Sequence, residues 1–246
     1  MRVPTTAPAM KHRIASTLLL LSALTLTSCR LAECMTGNGE VEKRGLEIQP
    51  FHGIVVEGSM DVQLTKADVQ QVTVEGQANL IDKLNKEVRD GLWHIGIDDC
   101  YRTNKPFVVH IAIPTVDRVI VEGSGEVKGS EPFSVDDLVV EVRGSGAVNM
   151  NIDAGKINAV VQGSGDIVLG GTCTSVSGTV QGSGDLDLRR LKATDAVMTV
   201  AGSGDIRVQA SGSLKAMVQG SGDILYSGSP ASIDRTVQGS GDVRPE

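Results

Sequence analysis

The nine residues Val180-Gln181-Gly182-Ser183-Gly184-Asp185-Leu186-Asp187-Leu188 alternate without a break. Even positions carry Val, Gly, Gly, Leu and Leu, and odd positions carry Gln, Ser, Asp and Asp. Strict alternation predicts a strand with one dry and one wet face. Both glycines fall on the dry side, where they allow a tight bend and the close approach of another backbone. The same Gly-Ser-Gly begins at Gly123, Gly144, Gly163, Gly182, Gly202, Gly220 and Gly239, in steps of 21, 19, 19, 20, 18 and 19 residues. Imperfect copies lie upstream at Gly58, where Met60 takes the second glycine slot, and at Gly76. About 19 residues span ~60 Å of contour, enough for two or three short strands and their corners. One such loop cannot bury its own Val, Ile and Leu face, whereas loops stacked at ~4.8 Å bury it together. The expected fold is therefore all-β: a right-handed parallel β-helix, its hand set by the usual crossover between parallel strands. A propeller blade needs about 40 residues and a calcium-binding nonapeptide repeat needs about nine, so neither fits.

Working outward, residues 117–246 read as the regular coils and 46–116 as irregular first coils that cover the open end, one continuous domain over 46–246. Residues 79–88 (NLIDKLNKEV) predict a short helix with Leu80, Leu84 and Val88 on one face. Arg89-Asp90-Gly91 predicts a turn into a strand at Leu92. Residues 29–45 are polar and read as a tether. At the start, Lys11, His12 and Arg13 precede an apolar run over 14–26, the pattern of a secretory signal. That run is too short to span a bilayer, which takes about 20 apolar residues. It ends in Leu26-Thr27-Ser28-Cys29, which resembles the bacterial lipobox. The resemblance implies a signal peptide over 1–28 and lipidation of Cys29, with two or three acyl chains anchoring the protein to a membrane. Arg30 rather than Asp follows the cysteine, which favours the outer membrane. An oxidising envelope permits one disulfide among the remaining cysteines; Cys34 and Cys100, outside the regular repeat, are the preferred pair. Cys173 sits in a repeat connection as a small residue.

Several features together are similar to a known family. They are the lipobox, Phe51-His52-Gly53-Ile54-Val55-Val56-Glu57-Gly58 leading into Asp61-Val62-Gln63-Leu64, and Ile113-Pro114 ahead of the tandem Gly-Ser-Gly units. They resemble the bacterial domain of unknown function called "putative auto-transporter adhesin, head GIN domain", over about residues 46–246. The resemblance implies a β-helical, secreted or lipid-anchored protein of the kind found in Bacteroidetes. It transfers no functional residue.

Composition narrows the chemistry. There are 30 acidic against 23 basic side chains, a formal charge of −7, and only three Phe, two Tyr and one Trp. An acidic chain without a basic stripe disfavours nucleic acid, and scarce aromatics disfavour a stacking platform for bases or sugars. His52, His94 and His110 show no zinc spacing. The Gly-Ser-Gly serines have no base beside them in sequence. Polysaccharide lyases built on β-helices place carboxylates and an Arg or Lys base in a groove walled by inserted loops. Arg143, Arg189, Arg190, Arg207 and Arg235 are available, but steps of 18 to 21 leave no room for such walls. The expected protein is thus not an enzyme and needs no cofactor. It is a lipid-anchored envelope protein offering a solenoid surface to a protein or glycan ligand. The alternatives are a polysaccharide-active enzyme and an envelope sensing or regulatory partner. Charges and a proline in Asp242-Val243-Arg244-Pro245-Glu246 guard a strand edge, so a monomer or weak homodimer is expected. Stacked in register, Asp166, Asp185, Asp205, Asp223 and Asp242 form a column whose repulsion asks for backbone donors or for weakly bound calcium.

Overall fold

The computed structural model describes residues 34–246; the signal segment and Cys29 lie outside the described residues. The regular region is a β-solenoid. Strand Ala147–Gly163 pairs in parallel with Asp166–Val180, which pairs with Leu186–Val200, then with Ile206–Val218. Ala147 faces Asp166 and Val161 faces Val180, so sequence neighbours 19 apart become spatial neighbours along the stack.

Each coil has three short sides, and the sequence shows where it bends. In Leu186–Val200 the buried residues are Leu186 and Leu188, then Leu191 and Ala193, then Ala196, Met198 and Val200. Alternation fails at Arg189-Arg190 and at Thr194-Asp195, where two successive side chains face water and the register against the next coil slips. These are the corners. Each large inward side chain contributes roughly 1.5–3 kcal/mol by leaving water, and only stacking supplies the cover. Gly178 shows how closely the interior fills: a Cβ there would lie 2.7 Å from the Met198 sulfur of the next coil.

The N-terminal end is built out of chain order. The Gly53–Gly58 strand pairs with Arg118–Gly123 on one side and with Leu92–Ile95 on the other. Asp61–Lys66 lies likewise between Glu126–Gly129 and Val108–Ile113. The chain lays its first coil, crosses to that coil's outer side for residues 71–113, then returns past Pro114 to start the regular stack. An antiparallel ribbon of Val41–Leu46 on Gln71–Gln77, itself antiparallel to Val108–Ile113, closes this end. Beneath it Trp93, Leu80 and Ile81 are fully buried, and the Trp93 ring nitrogen donates to the Asn85 carbonyl at 3.1 Å. The expected covering of the open end is therefore present, made by antiparallel pairing that simple alternation does not reveal.

Two local expectations are corrected. The stretch 29–45 is not wholly a tether: Met35–Thr36 pairs with Tyr101–Arg102, and Val41–Leu46 is a six-residue strand. An edge strand with one wet face needs few apolar residues and carries charges such as Glu42, Lys43 and Arg44, so its composition looks like a linker. The helix expected over 79–88 is only the four residues Ala78–Ile81. Past Ile81 the chain tightens into turns, Lys83 and Leu84 donating to the carbonyls of Leu80 and Ile81. Asn85 then leads it away, its Oδ1 accepting the Glu87 N–H while its own N–H donates to the Gly96 carbonyl. The expected turn holds at Asp90 (φ 51°) and Gly91 (φ 75°), two left-handed residues joining Val88–Arg89 to Leu92–Ile95 as a two-residue hairpin. Cys34 and Cys100 are joined as a disulfide. Cys173 is free and buried, its thiol pushed up to about 11 by burial, which makes it inert.

Candidate functional site

The Gly-Ser-Gly-Asp edge runs along the solenoid as four ladders. At each corner the carbonyl of the first glycine accepts two N–H groups from the next coil: Gly163 takes Ser183 at 2.8 Å and Gly184 at 3.1 Å. The pattern repeats from Gly58 to Gly220. It explains the second glycine. A Cβ on Gly184 would lie 1.9 Å from the Gly165 carbonyl oxygen, and on Gly204 it would lie 1.8 Å from that of Gly184. The intervening serines, Ser124 to Ser240, point into water.

The five aspartates form a column, and each of the first four is bonded to the next coil. Asp166 Oδ1 accepts the Asp185 N–H at 2.9 Å, Asp185 that of Asp205 at 2.8 Å, Asp205 that of Asp223 at 2.8 Å, and Asp223 that of Asp242 at 2.9 Å. Asp242 turns to the Val243 N–H at 2.8 Å. Arg207 lies 3.4 Å from Asp185 and 3.6 Å from Asp205, and Arg244 lies 3.2 Å from Asp223. Backbone donors and two guanidinium groups thus offset the repulsion within the column. Among the described residues, no three His, Cys, Asp or Glu side chains gather where a metal ion could sit.

The histidines are dispersed. His52 pairs with Asp117 at 2.7 Å, His94 with Glu57 at 2.9 Å, and His110 lies 3.6 Å from Glu75. Each contact clips the out-of-order end to its neighbour. Glu75 is held below the usual carboxylate range, first by its hydrogen bond from Lys43 and only then by His110. The arginines considered as lyase bases are spread out too. Arg143 bridges Glu122 and Glu141, Arg189 grips Asp187, and Arg190 reaches Asn149 at 3.4 Å. Arg235 is different. It occupies the inward column Val140, Ala159, Gly178, Met198, Ala216, Arg235, and its guanidinium donates to the Val243 carbonyl at 3.3 Å. Sequence reasoning counted Arg235 only as a candidate base and missed its place in this column, although a charge in a slot otherwise held by apolar or small residues stands out once the repeats are aligned.

Sequence reasoning also missed a cleft of about 740 Å³ at the irregular end. One wall is the first imperfect corner, Gly58, Ser59 and Asp61; the other is the connection from Ile97 to Phe107. The Cys34–Cys100 disulfide fixes that connection. Lys105 also ties it down, its ammonium donating to the Gly39 carbonyl and Glu40, both at 3.0 Å. Thr103 adds a hydrogen bond to the buried Gln77 at 2.9 Å. Tyr101 is half-buried, packed edge-on against Phe107 with ring centres 6.0 Å apart. Burial, and secondarily the charge of Asp61, raise the Tyr101 pKa, so its hydroxyl stays protonated. No sequence period marks this cleft, because it is made where the period breaks.

Residues 50–230 match the family described as "Putative auto-transporter adhesin, head GIN domain". A crystal structure of a "putative adhesin" from Bacteroides fragilis superposes with a TM-score of 0.82 at 24% identity, over 86% of this chain and 100% of that one. A "putative lipid binding protein" from Parabacteroides distasonis gives a TM-score of 0.72 at 26% identity, over 87% and 100%. A "putative adhesin" from Parabacteroides merdae gives 0.69 at 20% identity, over 86% and 98%. No curated protein matches the chain.

Proposed function

The chain belongs to the head GIN domain family, and from that membership we propose that it is a non-catalytic, lipid-anchored protein of the bacterial envelope whose solenoid serves as a binding or adhesion surface. The observation that carries this reading is how the repeat commits its polar groups. The ladder aspartates, the one large set of carboxylates in register, accept N–H groups of the next coil. Arg143, Arg189, Arg207 and Arg244 are distributed among separate carboxylate partners, and Arg190 and Arg235 hold an amide and a backbone carbonyl instead. Such groups build a rigid surface; a lyase needs them free and converging. The anchor in this proposal is Cys29, with the outer membrane as its site. No helix among the described residues is long and apolar enough to cross a membrane.

Membrane fractionation tests the anchor. The native protein should sediment with membranes and take up a radiolabelled fatty acid, and Cys29→Ser should release it or leave the precursor uncleaved. Unchanged fractionation of Cys29→Ser, with no acyl label on the native chain, contradicts the anchor. Release of unsaturated or shortened products from uronate polysaccharides by the purified protein would overturn the non-catalytic reading.

A further inference from the structure

We propose that the cleft between the first corner and the 97–107 connection binds a short neutral saccharide, a deepening that rests on the adhesion reading above. A binding site on a repeat protein should be a singular departure from the repeat, and this cleft is one. Elsewhere the edge offers the same Gly-Ser-Gly-Asp surface coil after coil; here a long connection stands up beside it. The cleft's volume of about 740 Å³ falls within the roughly 300–1,000 Å³ common for small-molecule sites.

Its chemistry is mixed in the way a sugar is mixed. The half-buried Tyr101 ring supplies an apolar aromatic surface of the kind that packs against the C–H face of a pyranose. Ser59, Asp61, Asp98, Asp99 and Arg102 line the same space. Carboxylates accept from vicinal hydroxyl pairs, a guanidinium donates to ring and hydroxyl oxygens, and the Tyr101 hydroxyl does either. Anionic ligands are opposed by three lining carboxylates and the chain's charge of −7. A hydrocarbon tail is opposed by the charged wall. For a bare metal ion, no three carboxylates converge there among the described residues, and Arg102 lines the same space. The disulfide and the Thr103–Gln77 bond hold the wall in place before any ligand arrives. This lowers the ordering cost of binding.

The test is a calorimetric titration of the full-length protein in detergent. Probes are the neutral tetrasaccharides of β-1,4-glucose, α-1,4-glucose, β-1,4-mannose and β-1,4-N-acetylglucosamine, with tetragalacturonate and trilysine as charged probes. At least one neutral tetrasaccharide should bind. Tyr101→Ala should weaken it by about tenfold or more, Tyr101→Phe much less, and Asp98→Asn/Asp99→Asn by about tenfold. The Asn pair replaces exposed side chains and keeps the fold, so it remains decisive if Tyr101→Ala misfolds. Binding of none of the neutral probes, preference for trilysine, or binding indifferent to the Asn pair would overturn the proposal. Adherence of cells carrying the Asn pair separates the two readings. Wild-type adherence with lost sugar binding keeps the saccharide site but places adhesion elsewhere on the surface; equal adherence with and without the whole protein overturns the adhesion reading, and the titration alone then decides the cleft.

Discussion

The second glycine of the regular corners tolerates no side chain. At Gly184 an added methyl meets a carbonyl 1.9 Å away that belongs to backbone and cannot swing aside. Gly184→Ala must push neighbouring coils apart, and it should cost about 3 kcal/mol or more. Ser183→Ala, one residue away and in water, should stay within about 0.5 kcal/mol. Urea unfolding of the pair checks both. The aspartate ladder makes a subtler prediction. Asp205→Ala removes the acceptor of the Asp223 N–H and should cost about 1 kcal/mol. Asp205→Asn keeps an acceptor oxygen and should cost less, and millimolar calcium should leave the melting temperature of every variant unchanged. A calcium-dependent rise lost in Asp205→Asn would show that the column holds a cation. The close approach of the glycines was legible because only glycine tolerates it. The partner of each aspartate was not, because Asp185 and Asp205 are 20 residues apart in sequence and only the register of stacked coils brings them together.

Among the strands, those of the regular coils follow directly from their alternation, down to the corners at Arg189-Arg190 and Thr194-Asp195. The irregular end resisted for a physical reason: its strands pair out of chain order and partly antiparallel, so neither a fixed step nor a continuous dry face marks them. Val41–Leu46 is polar because its outer edge is wet. That end depends on the Cys34–Cys100 bridge, which closes 66 residues of chain. Cys34→Ser/Cys100→Ser should destabilise the protein by about 2–4 kcal/mol. Hydrogen exchange should quicken in residues 34–37 and 97–107, while protection across Asp166–Val180 and Leu186–Val200 stays as it was, since each solenoid coil leans only on its neighbours. Equal loss of protection across all coils would contradict this local dependence.

The solenoid formed by the described residues has two unlike ends. One is covered by the antiparallel ribbon; at the other, the coil containing Ser232–Val237 pairs on one side only among the described residues, leaving Ile233 42% and Val237 43% exposed. Arg235 stands between them in the inward column and reaches across to Val243, a charge placed where an apolar neighbour would otherwise stack. Arg235→Val should therefore drive concentration-dependent self-association visible by light scattering, and trimming residues 244–246 should act in the same direction. A monodisperse Arg235→Val protein would show that the residue is no guard. Between these ends the aspartate ladder is bonded to the backbone of neighbouring coils. The most direct measurement is adherence to immobilised extracellular glycans and matrix of cells producing the wild-type chain, the Cys29→Ser chain or none. The account predicts adherence with the wild-type chain and loss of it with the other two. Equal adherence by all three would contradict it.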